Sequence, residues 1–158
     1  MKIRVGFGFD VHQLKKGKEL WLGGIRIKHT KGAVGHSDAD VLIHAICDAL
    51  LGAAGMRDIG FHFPNTSAEY KNIDSKKLLS RVIKLLKKEN YSIGNIDCTL
   101  VLEDPKINPH IDLMKQTLAP LLDIAVSDIG IKATTNEKMG YVGRKEGVCA
   151  YAVALIQK

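Results

Sequence analysis

No stretch of this 158-residue sequence approaches the roughly 20 consecutive apolar residues of a membrane-spanning helix, so no membrane partner is expected. Met1-Lys2-Ile3-Arg4 passes directly into a strand pattern without the apolar segment of a signal peptide, and a cytoplasmic location is the expectation. Cysteine is scarce. Cys47, Cys98 and Cys149 are odd in number, widely spaced and embedded in apolar patterns, which argues for reduced core thiols rather than a disulfide framework. Aromatic residues make up only 6% of the chain and form no basic, aromatic-rich strand on which bases could stack, so nucleic acid is not the expected partner. Phosphate-binding G-x-x-x-x-G-K-[ST], a complete G-x-G-x-x-G after the first strand, H-E-x-x-H and the zinc-deaminase pair of motifs are all missing. Repeats, low-complexity tracts and Pro/Ser-rich linkers are missing too, and residues 1–158 read as one domain.

What is present begins with charge. A formal net charge of +6 attracts polyanions in general, phosphorylated metabolites included. Much of the excess sits in Lys15-Lys16-Gly17-Lys18 and in Lys76, Lys77, Lys84, Lys87 and Lys88, where a solvated helix face is sufficient explanation.

Periodicity outlines the elements. A strand from Ile3 runs into Asp10-Val11-His12, and Leu20-Trp21-Leu22 and Ile25-Arg26-Ile27 flank Gly23-Gly24 as a hairpin. A loop from Lys28 to Gly35 leads to Ser37 and Asp40, spaced like a capping box ahead of an almost wholly apolar helix from Val41 to Leu51, ended by Gly52 or Gly55. Residues 56–73 read as a long loop. A second helix starts near Asp74 with Leu78, Leu79, Val82, Leu85 and Leu86 on one stripe. A strand over 96–102, a helix from about Pro109, a strand over 129–134, a Gly-rich loop over 135–147 and a last strand over 148–156 complete the chain. Strands and helices mix without strict βαβ repetition, so the expected class is α+β, a mixed β-sheet with helices packed on one face. The last strand is apolar on both faces, and a second copy of the chain is the natural cover for the open one.

In a strand, residues two apart project to the same side, so Asp10 and His12 can grip one ion together. His44, one of two polar side chains in the apolar helix, is the candidate third ligand. A carboxylate with two imidazoles suits zinc and leaves a fourth position for substrate or water. Asp48, one turn after His44, is placed to receive the free imidazole N–H. Two competing readings stand beside this one: a desolvated His-Asp pair without metal, and a closed structural site with Cys47 as fourth ligand.

Phe9-Asp10-Val11-His12, Leu22-Gly23-Gly24, His36-Ser37-Asp38-Ala39-Asp40 with His44, Asp58-Ile59-Gly60, Pro105-Lys106, Lys132-Ala133-Thr134-Thr135-Asn136-Glu137-Lys138 and Gly143-Arg144-Lys145-Glu146-Gly147 together resemble the 2-C-methyl-D-erythritol 2,4-cyclodiphosphate synthases, in order and nearly end to end. The resemblance implies a phosphorus-oxygen lyase of non-mevalonate isoprenoid synthesis. Its substrate would be 4-diphosphocytidyl-2-C-methyl-D-erythritol 2-phosphate, its products the cyclic 2,4-diphosphate and CMP. It further implies a homotrimer whose sheets line a central prism, with active sites between subunits. Zinc would be held by Asp10, His12 and His44, and magnesium or manganese by Glu137. His36 and Ser37 would meet the 2-phosphate, and Asp58 and Gly60 the erythritol hydroxyls. Leu102, Pro105, Lys106, Ile107 and Asn108, with Ala133, Thr134 and Thr135, would hold the cytidine nucleotide from the adjacent subunit. Asp10 and His12 count with the substrate contacts, as does Arg144, and His36, Lys106, Thr135 and Glu137 with the catalytic groups. Two positions depart from the family pattern: Asn65 where aspartate is frequent, and Tyr151 where some members carry a glutamate near the threefold axis, beside Phe9 and Arg144. A basic oligomer binding nucleotide or RNA around a structural metal, and a zinc phosphohydrolase, are the competing functions.

Overall fold

The computed structural model describes residues 1–158. Twelve helices and strands follow in chain order: β1 (Ile3–Lys16), β2 (Leu20–Leu22), β3 (Ile25–Ile27), β4 (Lys31–Val34), α1 (Val41–Ala54), α2 (Ile59–His62), α3 (Ser75–Lys88), β5 (Ser92–Val101), α4 (Ile111–Leu122), β6 (Ile129–Thr134), α5 (Gly140–Gly143) and β7 (Gly147–Gln157). The main sheet has the order β4-β1-β7-β5-β6, parallel only between β5 and β6, while β2 and β3 pair separately. This is the mixed α+β architecture expected.

Alternation decides the sheet's two faces. On β1, Gly6, Gly8 and Leu14 are buried and Asp10 and His12 half-buried, whereas Ile3, Val5, Phe7, Phe9 and Val11 are exposed. On β7, Val148, Ala150, Ala152, Ala154 and Ile156 are buried, and Tyr151 and Val153 exposed. Small residues on the inner face let α1 lie directly across β1 and β7. Helix α3 packs on α1, and α4 on α3 and β6, so the helices share one side of the sheet. The other side is an open apolar stripe, with Phe7 63% exposed and the Phe9 ring 5.1 Å from that of Tyr151 at a 40° tilt.

Asp40 is wholly buried and caps α1 by accepting from Ile43 N–H at 3.1 Å. It also accepts from Gly23 N–H at 2.9 Å and Gly24 N–H at 2.7 Å, tying the β2-β3 turn to the helix start. Burial raises its pKa against the opposing effect of those three N–H donors. The cap is therefore Asp40 itself rather than Ser37, and Gly55, at φ +74°, terminates the helix.

Three segments read as loops carry structure. Residues 31–34 form β4, paired with the end of β1, which runs on to Lys16. Residues 56–73 contain α2, capped by Asp58, and a single 3-10 turn over Ala68–Tyr70, capped by Ser67. Residues 135–147 contain α5. Each is too short to show a period, and β4 is defined by a partner some 18 residues away rather than by its own composition.

Candidate metal centre and its neighbouring cavities

β1 delivers Asp10 and His12 to the helix side of the sheet, and the close seat of α1 brings the buried His44 over them. Asp10 Oδ2 lies 2.9 Å from His12 Nε2 and 3.0 Å from His44 Nδ1, and the two imidazole nitrogens are 3.1 Å apart. Zinc bonds of about 2.0–2.1 Å would place neighbouring tetrahedral donors about 3.3 Å apart, so this triangle has nearly the size of one face of a zinc site. A carboxylate and two imidazole nitrogens held this close need a positive charge between them, either a metal ion or a proton. The ionisation behaviour agrees. Burial works to raise the Asp10 pKa, yet hydrogen bonds from His12 and His44 hold it down at about 2. Burial works to lower the His44 pKa, yet Asp10, with Asp40 and Asp38 beyond it, keeps it above the ordinary imidazole value.

Cys47 does not join the triad. Its thiol is fully buried and its pKa pushed far up by burial, with Asp48 and Asp40 adding to the rise, as expected of a core residue. That leaves three protein donors and an open fourth side. The expected role of Asp48 needs correction. Its carboxylate accepts the backbone N–H of Ile59 at 2.8 Å, fixing the start of α2, while the outer nitrogen of His44 meets Ser75 Oγ at 2.9 Å and Ser37 Oγ at 3.1 Å. Ser75 opens α3 and is 31 positions from His44, so helical spacing pointed instead to the nearer Asp48.

The open side of the triad faces a cavity of about 300 Å³. His36, Ser37 and Gly60 line it, together with Asp48, Phe63 and Asn65. His36 donates to the Ser67 carbonyl through Nε2 at 3.3 Å. Asp58 stands just outside, its carboxylate committed to the N–H of Phe61 at 2.9 Å.

A second cavity of about 270 Å³ lies at the β5-β6 edge. Leu102, Glu103, Pro105, Lys106, Ile107, Asn108, Ala133, Thr134 and Thr135 line it. Every nucleotide-side residue expected from the sequence except Glu137 and Arg144 is therefore in one hollow. Glu103, not singled out beforehand, accepts the backbone N–H groups of Asn136 at 2.8 Å and Lys138 at 3.2 Å and so folds the 135–138 loop against it. Glu137 is exposed on that loop, and Arg144 is exposed and paired with Glu146 at 3.1 Å. The two cavities are not adjacent within one chain. Asp10 pairs with Ala150, Ala150 with Leu100, and Leu100 with Ala133, so three inter-strand steps of about 4.8 Å, roughly 14 Å in all, separate the triad from the β6 end of the second cavity.

An α+β sheet with a two-histidine, one-carboxylate triad opening on a polar cavity defines a candidate metal-dependent enzyme. The particular kinship is specific: this chain belongs to the YgbB family, whose model matches residues 3–157. The 2-C-methyl-D-erythritol 2,4-cyclodiphosphate synthase of Parabacteroides distasonis is 65% identical over 158 residues, covering 100% of this chain and 98% of that protein. Among solved structures, the bifunctional IspDF of Campylobacter jejuni matches with a TM-score of 0.94 and 38% identity; 98% of this chain corresponds to 42% of that longer one. IspF of Plasmodium falciparum in complex with CDP matches with a TM-score of 0.86 and 35% identity, over 98% of this chain and 95% of that one.

Proposed function

We propose that residues 1–158 act as one cyclodiphosphate synthase domain, converting 4-diphosphocytidyl-2-C-methyl-D-erythritol 2-phosphate to 2-C-methyl-D-erythritol 2,4-cyclodiphosphate and CMP in non-mevalonate isoprenoid synthesis. The observation that carries this reading is the Asp10-His12-His44 triangle opening on the cavity that holds His36 and Ser37, in a chain 65% identical end to end to a protein of that name. The reaction is a phosphorus-oxygen lyase step. An oxygen of the substrate's 2-phosphate bonds to the β-phosphorus, the bond from that phosphorus to the bridging oxygen breaks, and CMP leaves with the bridging oxygen. A phosphate monoester, with a second pKa of about 6, is already largely ionised near neutral pH, so no general base is required.

The protein's work is placement and charge neutralisation. Asp10, His12 and His44 fit zinc by donor type and spacing. Bound there, zinc supplies Lewis-acid polarisation of a phosphoryl oxygen. Glu137, a single exposed carboxylate, suits magnesium or manganese when substrate oxygens complete the shell. His36 and Ser37 face the 2-phosphate, and Asp58 and Gly60 the erythritol hydroxyls. Lys106 and Thr135, with Leu102, Pro105, Ile107, Asn108, Ala133 and Thr134, receive the cytidine diphosphate, and Arg144 contributes a further phosphate contact.

Within one chain the two halves stand three strand steps apart. The reading therefore includes a homotrimer in which the triad of one subunit faces the nucleotide cavity of its neighbour, with the apolar stripe of Val5, Phe7, Phe9, Tyr151 and Val153 turned inward as the wall of a central prism. No helix is long and apolar enough to cross a membrane, and a cytoplasmic setting is part of the proposal. Phosphorus NMR of the purified protein with this substrate, zinc and magnesium tests the reading. Equimolar CMP and cyclic diphosphate are expected. Inorganic phosphate would indicate a phosphohydrolase instead, and unchanged substrate would exclude the activity.

A further inference from the structure

We infer that Ser75 and Asp38 are positioning residues that lock His44 in the one tautomer able to bind metal. The inference rests on the triad being a metal site, and its basis is a count of hydrogens.

Asp38 accepts the backbone N–H of Ser75 at 2.9 Å on one oxygen and the backbone N–H of Asp40 at 3.2 Å on the other. That second oxygen also meets Ser75 Oγ in a short contact. A carboxylate offers only acceptors, so the single hydroxyl hydrogen of Ser75 is spent on Asp38. Ser75 Oγ then presents only lone pairs to His44 Nε2, 2.9 Å away, and these are used when that nitrogen carries the hydrogen. Neutral imidazole has one N–H, so a ring with its hydrogen on Nε2 offers the Nδ1 lone pair to a metal ion between Asp10 and His12; without the ion, a proton takes that place.

His12 is fixed by simpler means: its Nδ1 faces the Val34 carbonyl at 3.1 Å, must donate, and leaves the Nε2 lone pair toward the same point. Ser37 completes the set. Its oxygen accepts Ala39 N–H at 3.1 Å and lies 3.1 Å from His44 Nε2; with the hydrogen on that nitrogen, the Ser37 hydroxyl hydrogen is free for an acceptor in the cavity it lines. Ser75 is fully buried, which keeps water from replacing it.

The geometry also separates this role from ordinary helix anchoring. Ser75→Ala keeps the backbone N–H bond to Asp38 that fastens the start of α3, but removes the acceptor opposite His44 Nε2. Ser75→Thr keeps both. Nitrogen-15 NMR of the imidazoles in the zinc-loaded protein should show the His44 hydrogen on Nε2 and the metal on Nδ1 in the wild type and in Ser75→Thr, with that N–H slow to exchange. In Ser75→Ala the His44 Nε2–H should exchange with solvent faster while His12 is unchanged. Cobalt or zinc affinity should fall about 10- to 100-fold in Ser75→Ala and recover in Ser75→Thr.

An Nδ1–H His44 in the wild type overturns the inference even if every Ser75 variant fails to fold. So does a Ser75→Ala protein that binds cobalt as tightly as the wild type. A wild type that binds neither zinc nor cobalt removes the metal reading and the inference with it.

Discussion

Gly8 lies so close beneath Ala45 that a Cβ added to it would overlap the Ala45 carbonyl oxygen. Gly6 stands in the same relation to Ala49, one helical turn further on. Two residues along β1 match four along α1, and the missing side chains set how near the helix comes to the strand. Because Asp10 continues the same face of β1 and His44 precedes Ala45, this contact also sets the size of the metal triangle.

Gly8→Ala should therefore push α1 outward. A destabilisation of roughly 3 kcal/mol, at the upper end of the overpacking range, is expected in urea unfolding, together with weakened metal binding. A variant with unchanged unfolding midpoint and metal content would show that the helix seat has slack.

His12→Ala and His44→Ala should each lose bound zinc and activity, because two protein ligands cannot hold the ion as three do. Cys47→Ala should retain both, with a packing loss of about 1–2 kcal/mol from its buried site. Metal analysis of the three purified proteins decides this, and zinc loss from Cys47→Ala would restore the closed-site alternative.

Glu137→Gln preserves shape and removes charge on an exposed loop, so the fold should be unaffected. The magnesium concentration needed for half-maximal activity should rise by about tenfold or more while zinc stays stoichiometric. Loss of zinc with Glu137 would make that residue part of the first centre instead.

Site sharing can be tested with two damaged proteins, His12→Ala on the metal side and Lys106→Ala on the nucleotide side. Each should be strongly impaired alone. After joint unfolding and refolding of an equal mixture, about one quarter of the sites in random cyclic trimers should have both halves intact. A correctly refolded mixture without rescue, or an active monomer by sedimentation, would contradict the assembly.

Acid should weaken the metal-free protein through Asp10. Its pKa lies near 2 when folded, against 3.8 ordinarily, so the unfolded chain binds its proton first as pH falls. The resulting stabilisation, on the order of 2 kcal/mol, is complete above about pH 4–5 and disappears as pH drops through about 2. Urea unfolding with a chelator at several pH values measures it. The gap between wild type and Asp10→Asn should narrow toward low pH, and a gap independent of pH would refute the assignment.

Asp10, His12 and His44 were legible as a triad because strand period two and the isolation of one histidine in an apolar helix are local signals. The partner of His44 was not. Helical spacing favoured Asp48, four residues away, but that carboxylate is held by Ile59, and Ser75 arrives from another helix. Strand β4 escaped for the same reason, since four residues alone carry no period and only pairing with Gln13–Lys16 makes them a strand.

The sequence by itself determined the class of fold, the shared side of Asp10 and His12 on β1, and the three donor residues, since each follows from alternation or composition within a single element. Only the tertiary structure decided the distance between helix and sheet, the contacts from Asp38 through Ser75 to His44, and the separation of metal triad and nucleotide cavity by three strand steps of one sheet. Those depend on contacts between residues 30 or more apart, where the neighbour is chosen by packing geometry and hydrogen-bond count rather than by any period along the chain.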